Sequence, residues 1–290
     1  MAQAPCEKWV TVDGLSFHFR DWGGSGQPLV LLHGLASTCH IWDLVAPILA
    51  QDHSVTALDL RGHGESAKPN HGFDFASVTK DVLGVIEHLA GTSPLVVGHS
   101  WGGSVALELA VRAPGSVKGM AWVDGGMINA SARHATVEDA KFEMAPPDFS
   151  GVKVEGFLER VRSRHQGSGM GPEVAGIVLA NFEILEDQTI KPHLSRANHL
   201  RIIEALFDHR PAELYKQVQC PVLIMPARQQ NNSAAPDRGQ RRMMSVDEAE
   251  EMLPKSKTVW LEDSIHDVPI QRPELVAEVI KSHLADGFFG

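Results

Sequence analysis

Two hydrophobic rhythms alternate along the first 126 residues and return near the end of the chain. Short apolar runs bounded by Gly, Pro, Asp or Ser read as buried strands: "QPLVLLHG" (27–34), "SVTALDL" (54–60), "PLVV" (94–97), "VKGMAWVDGG" (117–126), "CPVLIMPA" (220–227) and "KTVWLED" (257–263). Between them, apolar residues recur at helical spacing. Ile41, Leu44, Val45, Ile48 and Leu49 form one stripe, and Val78, Val82, Val85, Ile86 and Leu89 another. Val105, Ala106, Leu109 and Ala110 form a third, and "PELVAEVIKSHLA" a terminal helix with Pro273 at its start. "KWVTVDGLSFHFRDWG" reads as a hairpin around Asp13-Gly14. Strands alternating with helices predict an α/β fold, with a mostly parallel sheet covered on both faces.

The alternation stops at about residue 127. Up to residue 217 the pattern predicts helices at 153–165, 173–186 and 196–208, separated by stretches such as "APPDFSG" and "QGSGMGP". Later, Ser245 and Glu248 have the spacing of a capping box for a helix at 246–253. The expected organisation is a core in two parts, 1–126 and 218–290, interrupted by a helical insertion at 127–217. An insertion leaving a strand's carboxyl end lies over the place where such sheets bind ligands, so it is expected to act as a lid.

Composition narrows the function classes. A chain of 290 residues, 43% hydrophobic, is long enough for one large domain. The formal charge of −10 argues against nucleic acid and anionic membranes as partners. There is no apolar run of the roughly 18 residues a membrane span needs, and "MAQAPCEKW" does not read as a secretory signal. Cys6, Cys39 and Cys220 are odd in number and far apart, which fits a reducing cytoplasm rather than a disulfide framework. The 15 histidines contain no HExxH and no tight His/Cys cluster, so neither a metal nor an organic cofactor is expected. Oligomeric state is left open, a homodimer included.

The chemistry concentrates in "PLVVGHSWGGSVALELA" (94–110), where a strand runs into Ser100 and a helix follows at once. Such a reversal closes only if the residues flanking the Ser are small, which Gly98 and Gly102 provide. Gly98-His99-Ser100-Trp101-Gly102 fits the nucleophile-elbow pattern G-x-S-x-G. His33-Gly34 ends an earlier strand and places the backbone N–H of Leu35 as an oxyanion donor beside that of Trp101. His266, in "DSIHDVPIQRP", follows the last strand, where the order Ser…acid…His requires a base.

The elbow, the His-Gly strand end, "ALDLRGHGES" (57–66), the helical insertion and the late His together resemble the α/β-hydrolase superfamily. The chain resembles the single-domain esterase, lactonase, dehalogenase and epoxide-hydrolase branch, which begins with an antiparallel hairpin. The resemblance implies an α/β-hydrolase fold and makes "RGHG" a structural loop beneath the site. Dehalogenases and epoxide hydrolases of the superfamily attack with an Asp; Ser100 stands at that position here, which favours acyl transfer. The triad acid departs from the commonest pattern. Its usual slot falls near Gln230, and the next carboxylate is Asp237. The alternative slot, used by some dehalogenases and by zearalenone-type lactonases, holds Asp124, which is preferred over Asp237.

The resulting expectation is a serine hydrolase of carboxylic esters, lactones among them, with Ser100 as nucleophile, His266 as general acid/base and Asp124 as its orienting partner. Phe149, Phe157, Met170, Ile177, Phe182, Leu206 and Phe207 of the insertion are candidates both for an apolar substrate pocket and for plain packing. Three rivals share these features: amide hydrolysis, carbon–carbon bond hydrolysis and a slow-turnover ligand receptor of the same fold. An amide hydrolase of the iminopeptidase kind needs an acidic lid site, for which Glu155 and Glu183 are present.

Overall fold

The chain turns at Asp13 and Gly14, both with positive φ, and β1 (Cys6–Val12) pairs antiparallel with β2 (Leu15–Gly23). A computed structural model describes residues 4–89, 93–165, 170–229 and 236–290. β3 (Pro28–Leu32) leads through a 3-10 turn (Cys39–Trp42) and α1 (Ala46–Leu49) to β4 (Ser54–Leu58). There follow α2 (Phe75–Leu89), β5 (Leu95–His99), α3 (Trp101–Arg112) and β6 (Gly119–Val123). The segment after β6 contains α4 (Val137–Glu143), α5 (Val154–His165), α6 (Glu173–Leu179), β7 (Phe182–Ile184), β8 (Ile190–Pro192), α7 (Arg196–Asp208) and α8 (Pro211–Tyr215). The chain then forms β9 (Val222–Met225), β10 (Ala227–Arg228), α9 (Pro236–Met252), β11 (Ser256–Thr258), β12 (Leu261–Glu262), α10 (Val268–Gln271) and α11 (Pro273–Ala285).

The main sheet has eight strands in the order β1-β2-β4-β3-β5-β6-β9-β11. Only the β1-β2 and β2-β4 pairs are antiparallel; the others are parallel. Successive side chains of a strand point to opposite faces, and the two cores follow that period. Val30, Leu32, Val96, Met120, Trp122, Val222 and Ile224 pack on the face covered by α2 and α3. Leu29, Leu31, Val97, Ala121, Val123, Leu223 and Met225 pack on the other, with α1 and α11. Strands buried on both faces explain why the sequence shows continuous apolar runs rather than alternation. Part of the segment between β6 and β9 joins the second core, because Phe157, Val161, Val174 and Ile177 are buried with Cys39, Ile41 and Trp42.

Four predicted elements are corrected. The stripe from Ile41 to Leu49 is not one helix: Pro47 lies in the first turn of α1, where its missing N–H is harmless, and a separate 3-10 turn precedes it. The helix predicted over 173–186 ends at Leu179. Phe182–Ile184 instead pairs antiparallel with Ile190–Pro192, around a turn in which Gln188 has a φ of 64°. Ser245 is not a helix cap either, since α9 begins at Pro236 and the Ser245 hydroxyl donates to the Arg241 carbonyl at 3.1 Å, one turn back. The predicted strand 257–263 is split into β11 and β12, of which β12 pairs with β10 outside the main sheet.

Candidate active site

At the carboxyl end of β5 the chain reverses into α3 through Ser100 alone, with φ 53° and ψ −119°. A non-glycine residue in that region is strained and persists only where its surroundings impose it. The imposing contacts are glycines. A Cβ on Gly98 would lie 2.4 Å from the Gly102 carbonyl carbon, and one on Gly102 would lie 2.5 Å from the Leu32 oxygen. The elbow therefore closes on itself and against the end of β3. The Ser100 N–H donates to the Val123 carbonyl at 3.1 Å, tying the turn to β6 as well.

Asp124 continues from β6 with a φ of 46°. Gly125 and Gly126 after it are required by more than turn geometry. A Cβ on Gly125 would sit 2.3 Å from the Ser100 carbonyl oxygen, and one on Gly103 would sit 2.5 Å from the Gly126 nitrogen. The Asp-Gly-Gly turn and the elbow are thus packed backbone to backbone. That contact brings Asp124 and Ser100, from neighbouring strands, to one edge of the sheet.

His266 reaches this edge from the loop between β12 and α10. Its Nε2 is 3.0 Å from Ser100 Oγ, and its Nδ1 is 2.6 Å from Asp124 Oδ2. The Asp124 side chain is buried, with 2% exposed, whereas that of His266 is 51% exposed. Ser100, Asp124 and His266 are therefore brought together in one hydrogen-bonded chain. The Asp237 side chain and Gln230 lie outside the described residues. Gln229 is exposed at the end of β10.

The Gly34 backbone flanks Ser100, since a Cβ on it would lie 3.6 Å from Ser100 Oγ. Leu35, the next residue, lies in a turn closed by Ser37 N–H donating to the Gly34 carbonyl at 3.2 Å. Trp101 is the first residue of α3, so its N–H has no intrahelical acceptor.

Outside the geometry, the strongest indication of kinship comes from similarity. Residues 29–279 match the alpha/beta hydrolase family. The chain belongs to that family. Among curated relatives, 99 residues are 44% identical to the soluble epoxide hydrolase of Corynebacterium sp. (strain C12), covering 34% of each protein. The chain spans about a third of the length of the first curated relatives it matches. Among solved structures, E-2-(acetamidomethylene)succinate hydrolase superposes with a TM-score of 0.78 at 20% identity, over 97% of this chain and 99% of that one. A thioesterase domain from the curacin biosynthetic pathway gives a TM-score of 0.74 at 20% identity, over 96% and 100% respectively. These structural matches show the α/β-hydrolase fold.

Within this hydrolase-fold site, two buried histidines brace the loop around Leu35. His33 is bonded through Nδ1 to the Gly34 carbonyl at 2.7 Å, and its Nε2 accepts from the Leu60 N–H at 3.0 Å. His63 is bonded through Nδ1 to the Arg61 carbonyl at 2.9 Å, and its Nε2 accepts from the Ala36 N–H at 3.3 Å. Each ring must be neutral to accept at Nε2, and burial lowers both pKa values accordingly. Ala36 itself has a φ of 58°. Arg61 is taken up by a buried pair with Asp81, at 2.6 Å through both Nε and Nη2. "RGHG" thus lies under the site and supports its loop.

His99 and Arg242 both touch the hydrogen-bonded chain of Ser100, Asp124 and His266. His99 Nε2–H donates to the backbone carbonyl of His266 at 2.9 Å. Burial and the neighbouring His266 push its pKa down to about 4, so it is neutral. Arg242, from α9, donates to Asp124 Oδ2 at 3.1 Å. Asp124 is held below the usual carboxylate range: burial opposes its charge, but the His266 hydrogen bond, the charges of His266 and Arg242, and the Ala227 N–H outweigh it. Partial desolvation likewise disfavours a charged His266, but the bond and charge of Asp124 prevail and raise its pKa above 6.5.

Among the described residues, two groups have the donor set for a metal ion, each with its candidate ligand atoms within 4.8 Å of one another. In the first, His18 and Asp59 are bonded to each other at 2.7 Å, and Asp59 also accepts the Cys39 and Glu65 N–H groups. In the second, His99 Nε2 is committed to the His266 carbonyl, and both His266 ring nitrogens are engaged by Ser100 and Asp124. The His18, Asp59, His99 and His266 donors are thus engaged in internal hydrogen bonds. The apolar residues of the β6–β9 segment also prove largely internal. Phe149, Phe157 and Phe182 pack edge to face on one another with centroids 4.7–6.2 Å apart, and Ile177 and Leu206 are buried in the two cores. No helix of the described residues is long and apolar enough to cross a membrane.

Proposed function

We propose that the protein is a serine hydrolase that cleaves carboxylic esters, lactones among them, through an acyl-enzyme on Ser100. The observation carrying this is the relay from Asp124 through His266 to Ser100, with hydrogen-bond distances of 2.6 and 3.0 Å. Ser100 Oγ attacks the ester carbonyl while His266 Nε2 takes its proton. The buried Asp124 carboxylate holds the ring with Nε2 facing the nucleophile and stabilises the imidazolium that forms. Negative charge developing on the carbonyl oxygen is received by the N–H groups of Leu35 and Trp101, the latter aided by the free N-terminus of α3. His266 then returns the proton to the departing alcohol. Water, activated by the same imidazole, hydrolyses the acyl-enzyme.

A hydroxyl at the nucleophile position supports acyl transfer over the alkyl-ester chemistry that an Asp nucleophile performs. The segment 127–217 acts in this reading as a lid over the carboxyl edge of the sheet, and its packing sets which ester enters. A fluorophosphonate probe should label wild-type protein at Ser100 and leave Ser100→Ala unlabelled, as read by intact-protein mass. Turnover of p-nitrophenyl esters and lactones should accompany labelling. Labelling without turnover of esters, but with turnover of amides or of carbon–carbon substrates, would replace the ester reading. Labelling followed by a stable adduct with every substrate would favour a receptor.

A further inference from the structure

We propose that Arg242 is a positioning residue for the triad, fixing the Asp124 carboxylate and offsetting its charge so that His266 is free to act as a base at lower pH. The proposal deepens the serine-hydrolase reading and rests on it for its functional meaning. The observation is a closed ring of hydrogen bonds. Ala227 N–H donates to Asp124 Oδ1 at 3.0 Å, the Ala227 carbonyl accepts from Arg242 Nη1, and Arg242 Nη2 donates to Asp124 Oδ2 at 3.1 Å. Asp124 N–H adds a bond to the Met225 carbonyl at 2.9 Å. Both carboxylate oxygens are thereby fixed by β10 and α9, and the oxygen that accepts from Arg242 is also the one that faces His266.

A carboxylate in this position does two things at once. It orients the imidazole, and it favours the imidazolium, which cannot accept the Ser100 proton. The second effect grows as the acid is buried, because a low-dielectric site screens the pair less. A guanidinium on the same oxygen keeps the orientation and weakens the bias, since it places a second positive charge beside the imidazolium. The groups facing His266 are Asp124 at the end of β6, Asp267 in its own loop, His99 on β5 and Arg242 on α9. Asp124 and Asp267 favour the charged ring and Arg242 opposes it; His99 is neutral at working pH. Arg242 is thus the counterweight to two carboxylates. Arg rather than Lys suits the geometry, because one planar fork serves a carbonyl and a carboxylate together.

The test compares wild type with Arg242→Gln and Arg242→Lys, using two readouts. One is the titration of the His266 ring followed by NMR. The other is the pH dependence of the fluorophosphonate labelling rate. In Arg242→Gln both midpoints should move to higher pH, so that labelling is lost more at pH 6 than at pH 8; Arg242→Lys should bring them back towards wild type. Unmoved midpoints in Arg242→Gln, with circular dichroism unchanged, would overturn the proposal, as would equal shifts in the Gln and Lys variants. Arg242→Met, which keeps the apolar stem, replaces Arg242→Gln if that variant does not fold. Failure of wild type to label at any pH would count against the hydrolase reading alone, since the NMR titration still reads the effect of Arg242.

Discussion

The Asp124 carboxylate lies 2.6 Å from Nδ1 of His266 although 142 residues separate the two in the chain. Asp124 leaves the sheet at β6, next to β5 and Ser100, and His266 arrives from the loop between β12 and α10. Their meeting is made possible by the glycines that let the Asp124 turn lie directly against the elbow.

Asp124→Asn should therefore lose several orders of magnitude in kcat while remaining folded by circular dichroism. Orienting and stabilising a catalytic imidazole is typically worth about 10⁴, or roughly 5.5 kcal/mol of activation free energy. Asp237→Asn, at the rival carboxylate of the later loop, should change activity little. A crippled Asp237→Asn beside a near-normal Asp124→Asn would return the acid to that loop.

The pH dependence follows from the sign of the His266 shift. Its pKa is raised above 6.5 by Asp124, against the opposing effect of desolvation. Base catalysis needs the neutral ring, so kcat/KM should fall as pH drops through a value above 6.5. Asp124→Asn removes the larger cause of the upward shift, and the residual activity of that variant should titrate at lower pH. An acidic limb at or below 6.5 in wild type would contradict this placement of charge.

The strand sequence, the elbow, and the positions of Ser100 and His266 were legible in the chain because each is a local signal. Buried strands read as apolar runs, the elbow is spelled within five residues, and the late His lies in a loop of defined order. Asp124 was legible only as one of two alternatives, because no local rule says which strand supplies the acid. The hairpin of β7 and β8 was hidden because Phe182 and Ile184 extend the apolar spacing of α6, and pairing with Ile190–Pro192 is a non-local contact. Ser245 misled for a related reason. The S-x-x-E spacing is present, but Gln240, Arg241, Arg242, Met243 and Met244 before it are good helix formers that carry α9 through. Arg242 had no signal at all, since its role depends on α9 meeting the end of β6.

Away from the site, His18 is clamped between Asp59 and Glu7, with 2.7 Å to each. Burial disfavours the charged forms of both His18 and Asp59, but their mutual bond raises the His18 pKa and holds Asp59 well below its usual range. The stability gained from His18 is fully present below 6.5 and is lost as pH rises through its folded value. That gained from Asp59 is present above 3.8 and is lost as pH falls towards its depressed value. Asp59→Asn should cost on the order of 3 kcal/mol near pH 6, the scale for breaking a buried pair by removing one partner. Urea midpoints across pH would check this, and the fall in stability below pH 3.8 should be shallower in the variant.

The glycines at the site make a final, discriminating prediction. A Cβ at Gly125 would stand 2.3 Å from the Ser100 oxygen and 2.6 Å from its nitrogen, both backbone atoms that cannot swing aside. Gly125→Ala must therefore push the elbow away from β6. Overpacking of this kind costs about 1–3 kcal/mol, and a displacement of about 1 Å at a reacting group costs roughly a hundredfold in rate. Gly156 in α5 and Gly176 in α6 have nothing within 4 Å of an added Cβ. There, replacing Gly by Ala should stabilise the helix by up to about 1 kcal/mol, because Ala loses less backbone freedom on folding. Thermal denaturation and ester turnover would separate the cases. Gly156→Ala and Gly176→Ala should raise Tm with turnover preserved, and Gly125→Ala should lower both. A Gly125→Ala variant with wild-type Tm and turnover would mean that the Asp124 turn does not bear on Ser100 as closely as the structure places it.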